Sequence, residues 1–157
     1  MSLFVYTGSS CLYPGTDEAS AGVGIFFGQG HRRNFSGRLP GPDQTSQRAE
    51  LGAVKRALLI LSSPSMSPRT EDELVFIKTR SKYAIGCVTE WPIKWVRKGW
   101  VNNRGLPISN KDLIIDIITL MLLSPYKVYF IHTPAALKDE SGVRAQAMAA
   151  NAARRSC

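Results

Sequence analysis

RLPGPDQTSQRAELGAV, residues Arg38 to Val54, is the stretch on which the reading of this chain turns. Pro40, Gly41 and Pro42 end whatever segment precedes them, because proline lacks an amide donor and fixes φ. Thr45 or Ser46 then offers a hydroxyl to cap the free amides of a new helix. That helix runs through Glu50 to Leu61, with Ala49, Ala53, Ala57 and Ile60 on one side of the wheel. Glu50 is its only acid.

Upstream, Leu3–Tyr6 is a short apolar run closed by a Gly-Ser-Ser turn, which predicts a central strand. Cys11–Ala19 reads as loop. Ala21–Phe27 alternates with glycine, and Gly28 to Gly30 forms a tight turn into His31–Leu39, together a hairpin. Downstream, Ser62–Glu73 is a Ser/Pro-rich connector with Ser-Pro steps at Ser63 and Ser67. Leu74–Lys78 is a buried strand, Ser81–Thr89 a short helix, Lys111–Leu123 a helix, Lys127–His132 a strand, and Gly142–Arg155 an Ala-rich closing helix. This order predicts an α/β protein with a five-stranded mixed sheet flanked by helices, in one domain spanning residues 1–157. No internal repeat is visible.

Composition narrows the class. With 44% hydrophobic and 20% charged residues, the chain buries a core and is not globally disordered. No apolar run is long enough to span a bilayer. MSLFVYTG lacks a basic region followed by an apolar stretch, so no leader is expected. Cys11, Cys87 and Cys157 have no CxxC spacing and read as reduced thiols of an intracellular protein, nuclear or cytoplasmic. No metal or cofactor site is expected from them.

The net charge of +8 is concentrated. Between Lys78 and Lys111 lie eight cations and one acid, Glu90, together with all three tryptophans, Trp91, Trp95 and Trp100. Cations interleaved with rings suit a nucleic acid, whose phosphates supply affinity while its bases and sugars stack. A solvated basic face with core tryptophans would produce the same composition.

The order of elements, the Arg38–Val54 stretch and WVRKGWVNNRGLPISNKDL (Trp95–Leu113) resemble type 1 ribonuclease H, the family that cleaves the RNA strand of an RNA–DNA hybrid. The closing helix looks most like that of fungal members. The resemblance implies a ribonuclease H-like fold with a basic handle segment. It also implies a site of four carboxylates around two divalent metals, one activating water and one stabilising the leaving oxygen. Here that pattern fails at three positions. Where the family's first strand ends in Tyr-Thr-Asp-Gly this chain reads Tyr6-Thr7-Gly8-Ser9, so that Gly8 replaces the Asp or the Asp is deleted. Arg80 stands where a Thr-Asp-Ser step has its acid, and Gln146 where an Ala-Asp pair ends. The mobile-loop His falls on Ala136, and Glu50 alone is retained. The expectation is a pseudoenzyme with no bound metal, in which Arg80 neutralises Glu50.

For binding, the resemblance assigns Trp91 and Trp95 to an aromatic channel, with Asn103 where Ser or Thr is usual. Thr45 and Asn110 correspond to a phosphate pocket whose cation is replaced by Asp43. Ser46 and Gln47 fall at positions that touch the RNA minor groove, where hydroxyls mark RNA. Lys94, Arg97 and Lys98 add backbone charge. Separately, the wheel of Lys111–Leu123 sends Leu113, Ile117 and Leu120 inward and Ile115, Ile118 and Leu122 outward. An outward apolar stripe predicts a protein partner or a homodimer. The expected role is therefore a scaffold binding protein and, weakly, hybrid or RNA, opposed to an active nuclease with a rebuilt site and to a purely structural module.

Overall fold

A computed structural model describes residues 2–63, 74–134 and 139–154. Ala136, Ser67, Cys157 and all but the first two residues of the Ser62–Glu73 connector lie outside the described residues.

Five strands form one mixed sheet in the order β3-β2-β1-β4-β5. β1 (Ser2–Leu12) pairs antiparallel with β2 (Ser20–Phe26), and β2 with β3 (Phe35–Arg38). β1 also pairs parallel with β4 (Leu74–Thr79), and β4 with β5 (Lys127–His132). The helices are α1 (Ser46–Leu61), α2 (Lys82–Thr89), α3 (Trp91–Arg97), α4 (Lys111–Leu123) and α5 (Glu140–Arg154).

β1 differs from the short strand and turn expected at Leu3–Tyr6. Its parallel rungs with β4 stop at Tyr6–Lys78, but its antiparallel rungs with β2 continue from Tyr6–Phe26 to Leu12–Ser20. The Gly-Ser-Ser step is thus extended backbone, because β2 holds it after β4 has diverged. The hairpin also departs from expectation, since β3 begins only at Phe35. Asn34 organises the wider loop, accepting from Phe27 N–H and donating to Gly28 O, each at 2.7 Å.

Alternation divides the sheet faces. Val5, Ile25, Val75 and Ile77 point to α1, α2 and α4 and form the main core with Leu51, Val54, Leu58, Ile114 and Ile117. The buried side of α1 is broader than the expected stripe, and Ile60 is only half-buried. The other face of β1 and β2 is a glycine floor. A Cβ on Gly8 would stand 2.5 Å from the Ala145 carbonyl carbon and 2.6 Å from Gln146 N, and would strike Ala145 O. Gly24, directly across from Gly8, meets the same carbonyl. The Ala-rich α5 therefore rests backbone-on-backbone over β1 and β2. Ser20 and Ser36 fasten it, donating at 2.6 Å to Ala153 O and Met148 O.

α4 has the predicted bounds, but its phase departs at Ile118. Leu113, Ile114 and Ile117 are buried, and Leu120, half-buried, packs against the main core as expected. Ile118, expected outside, packs partly against the main core. No described helix is long and apolar enough to cross a membrane.

Candidate functional site

Gly8, Glu50, Arg80 and Gln146, scattered in sequence, line one cleft of about 180 Å³ with Thr7, Ser9, Thr79 and Ser81. The sheet makes this convergence. β1 and β4 run parallel and separate beyond Tyr6–Lys78, opening a gap between Gly8 and Arg80. α1 crosses on the inner side and supplies Glu50, while α5 crosses on the outer side and supplies Gln146.

The Glu50 and Gln146 side chains already have defined partners. Glu50 Oε2 accepts from Ser81 Oγ at 2.7 Å. Ser81 is the N-cap of α2, its oxygen accepting from Ala84 N–H at 3.0 Å. The expected Glu50–Arg80 ion pair does not form, and the carboxylate is met instead by the cap hydroxyl. Arg80 forms no ion pair among the described residues. Its backbone carbonyl lies 3.2 Å from His132 Nε2. Gln146 binds the β1 backbone, accepting from Ser9 N–H at 3.3 Å and donating to Ser9 O.

A two-cation carboxylate centre does not fit these residues. Among the described residues, no group of three or more His, Cys, Asp or Glu is placed to hold a metal ion. Of the four positions, one bears a carboxylate with one oxygen hydrogen-bonded, one has no side chain and no space for one, one is a cation, and one is an occupied amide. Divalent metals require several converging oxygen ligands.

A second cluster joins α1 to α4. Thr45 caps α1, its hydroxyl accepting from Arg48 N–H at 3.0 Å. Arg48 reaches Asp112 through two bonds of 3.0 and 2.9 Å and touches Asn110 Oδ1 at 3.3 Å. Those bonds hold the Asp112 carboxyl at about 2, below its ordinary 3.8. Asn110 sits in the left-handed region at φ 63° and donates to Tyr83 Oη at 3.0 Å. Burial pushes the Tyr83 phenol up to about 12, so it stays protonated. Asp43, Thr45, Asn110 and Lys111 line one broad open cavity with Arg48. Ser46 and Gln47 are exposed beside Thr45.

The basic handle contains α3, which follows α2 almost directly. Tyr83, Trp91, Trp95 and Trp100 form a ladder with centroids 6.2, 5.9 and 5.8 Å apart. Trp91 is 38% exposed and lies against Gly86, where a Cβ would come within 2.7 Å of its ring. Trp95 and Trp100 pack against the core, so one of the two expected channel rings is largely structural. Lys94, Arg97 and Lys98 are exposed, and Lys98 Nζ donates to Asn103 Oδ1 at 2.7 Å. Between α3 and α4 runs a largely apolar groove that includes Ile93, Val96, Ile115 and Ile118. Leu122, 80% exposed, lies outside it.

Sequence reading missed Ser81 as the partner of Glu50, and Arg48 as the link to Asp112. The sequence offers Ser81 only as the first residue of a short helix. Nothing local in the sequence pairs residues 48 and 112.

Comparison with known proteins follows this geometry. A family model described as RNase H matches residues 1–156. Ribonuclease H1 of Mus musculus is 33% identical over 116 residues, covering 74% of this chain and 38% of that protein. Ribonuclease H of Schizosaccharomyces pombe is 37% identical over 117 residues, covering 74% of this chain and 40% of that protein. The chain thus spans about two-fifths of the length of these curated relatives. A foamy viral protease-reverse transcriptase, solved in complex with RNA/DNA hybrid, superposes with a TM-score of 0.75 at 25% identity, over 97% of this chain and 20% of that one. LC9-RNase H1, a type 1 RNase H with the type 2 active-site motif, shares the fold at 21% identity and a TM-score of 0.70, over 97% and 72%.

Proposed function

The chain belongs to the RNase H family, and from that premise we propose that it is a non-cleaving member that works by binding nucleic acid, an RNA–DNA hybrid or RNA. One observation carries the proposal: the cleft where the four chemical positions converge holds a single carboxylate, Glu50, and that group is bonded to Ser81. Water activation by paired metals has no ligand set here.

Binding is supported by a different set of residues. Trp91 is exposed on the handle with Lys94, Arg97 and Lys98 around it. Thr45, Ser46, Gln47, Asn103 and Asn110 supply polar contacts, and Asp43 weakens the phosphate pocket by charge reversal. The relative solved with RNA/DNA hybrid is in keeping with this use of the fold. The working unit is the domain of residues 1–157. Cys11 and Cys87 are free thiols, which suits a reducing compartment, nuclear or cytoplasmic.

A protein partner or self-association is a second reading, favoured by the apolar groove between α3 and α4 and by the exposure of Ile115 and Leu122. It makes the domain an adaptor that holds nucleic acid and protein together.

The deciding experiment incubates the chain with a labelled RNA–DNA hybrid in magnesium and in manganese, with binding followed on the same hybrid. The expected result is binding without cleavage. Cleavage that disappears with Glu50→Gln would overturn the non-cleaving reading.

A further inference from the structure

We propose that the cleft between the ends of β1 and β4 is a metal-independent phosphodiester site, in which the Arg80 guanidinium receives a backbone phosphate of the bound strand. This rests on the binding reading above and adds a contact and a cation requirement to it.

The charges in the cleft point to that ligand. Among the described residues, Glu50 and Arg80 are the only ionisable ones that line it, and their formal charges cancel with no ion added. Yet the two are not paired. Glu50 is engaged by Ser81 Oγ, whereas Arg80 has no carboxylate within ion-pair distance among the described residues. Arg48, Lys55 and Arg144 all have such partners. A guanidinium that lines a polar cleft and lacks an acid is suited to a phosphate, which it can bind through two parallel N–H donors.

Shape and lining agree with the charge. The cleft, about 180 Å³, has room for a tetrahedral anion. Hydroxyls of Ser9 and Ser81 lie in its wall. Gln146 brings no charge, and Gly8 cannot carry a side chain, so neither wall restores an anion that would repel phosphate. In a site of converging carboxylates, bound cations must cancel the repulsion before a phosphate approaches. Here the cancelling charge is covalently held, on the residue that follows the last position of β4.

Fluorescence anisotropy with the full chain and a labelled RNA–DNA hybrid, in EDTA and in magnesium at matched ionic strength, tests this. The expected affinity is the same in both. Arg80→Gln should weaken binding about tenfold and flatten the salt slope by about one. Arg80→Asp should bind more weakly still and regain affinity when magnesium is added. Glu50→Gln, which keeps shape but removes the remaining anion, should tighten binding about twofold to fivefold. Thermal melting of each variant separates lost contact from lost fold, and Arg80→Gln and Glu50→Gln are read only at temperatures where they are folded.

A magnesium requirement in the unmodified chain overturns the inference. So does Arg80→Gln binding like the unmodified chain while substitution of Lys94, Arg97 and Lys98 still weakens it; the broader binding reading then survives alone. No binding to hybrid under either condition overturns both.

Discussion

The carboxamide of Gln146 on α5 takes both backbone groups of Ser9 on β1, accepting from its N–H and donating to its carbonyl. Ser9 lies past the last parallel rung with β4, so that side of its backbone has no strand to pair with. An amide can satisfy a donor and an acceptor together, and a carboxylate can only accept. The amide at position 146 therefore acts as a clasp between helix and strand, which an acid at the same position could not do.

Gln146→Ala should lower unfolding free energy by about 1–2 kcal/mol, measured by urea denaturation, because two partly buried bonds are lost. Gln146→Asp should be no better, since its carboxylate would face the Ser9 carbonyl without a proton to offer. If the aspartate variant is more stable than the alanine variant, the clasp is not what holds α5.

Gly8→Ala should destabilise the domain by about 1–3 kcal/mol, with α5 displaced, because the new methyl enters the space of the Ala145 carbonyl. Gly15→Ala, where no heavy atom lies within 4 Å of the added carbon, is the control for backbone strain at φ 79°. Calorimetry should separate the steric loss at position 8 from the milder conformational loss at position 15.

The Arg48–Asp112 bonds predict an acid-sensitive contribution. Asp112 has a folded value of about 2 against an ordinary 3.8, lowered first by its hydrogen bonds to Arg48. The stabilisation is present above pH 3.8 and is lost as pH falls through about 2. Asp112 is 65% exposed, so solvent screening limits the effect to under about 1 kcal/mol. Asp112→Asn should remove this part of the pH profile, and Arg48→Gln should remove the same part.

In nucleic-acid binding, the two handle tryptophans should separate. Trp91→Ala should cost about 1–3 kcal/mol of binding if its exposed ring stacks on the strand. Trp95→Ala should act mainly through lowered melting temperature, since that ring packs on the core. Asp43→Arg should tighten binding by returning a cation beside Thr45 and Asn110, measured as a steeper salt dependence.

For the apolar side of α4, Leu122→Glu should leave the fold intact, whereas Ile118→Glu should destabilise it, because only Ile118 reaches the core. Sedimentation of Leu122→Glu and Ile115→Glu against the unmodified chain tests association. Unchanged mass in a chain that is already monomeric removes self-association through this surface.

The bounds of α4 and β5 were legible because each lies between clear breaks and has a strong apolar pattern. The full length of β1 was not, since Gly-Ser-Ser is a turn signal by composition and becomes a strand only through pairing with β2. At the site, the four positions could be read from their local motifs, and the cleft does bring them together. Their bonding could not. Whether Glu50 meets Arg80 or Ser81 depends on where the cap of α2 falls, and the Arg48–Asp112 link joins residues 64 apart. The wheel places Leu113, Ile117 and Leu120 correctly on the core side and errs at Ile118, because it knows nothing of α3, which shelters one flank.

The glycine floor under α5 resists the entry of any side chain at position 8. An aspartate at position 8 needs α5 lifted from β1, yet the Ser9–Gln146 clasp and the serine bonds to Ala153 and Met148 hold it down. A single Gly8→Asp substitution is therefore harmful by itself. The helix must first be loosened by change at Gln146, at a cost in stability. The close seating of α5 works as a lock: a carboxylate enters this cleft at position 8 only after the helix has given way.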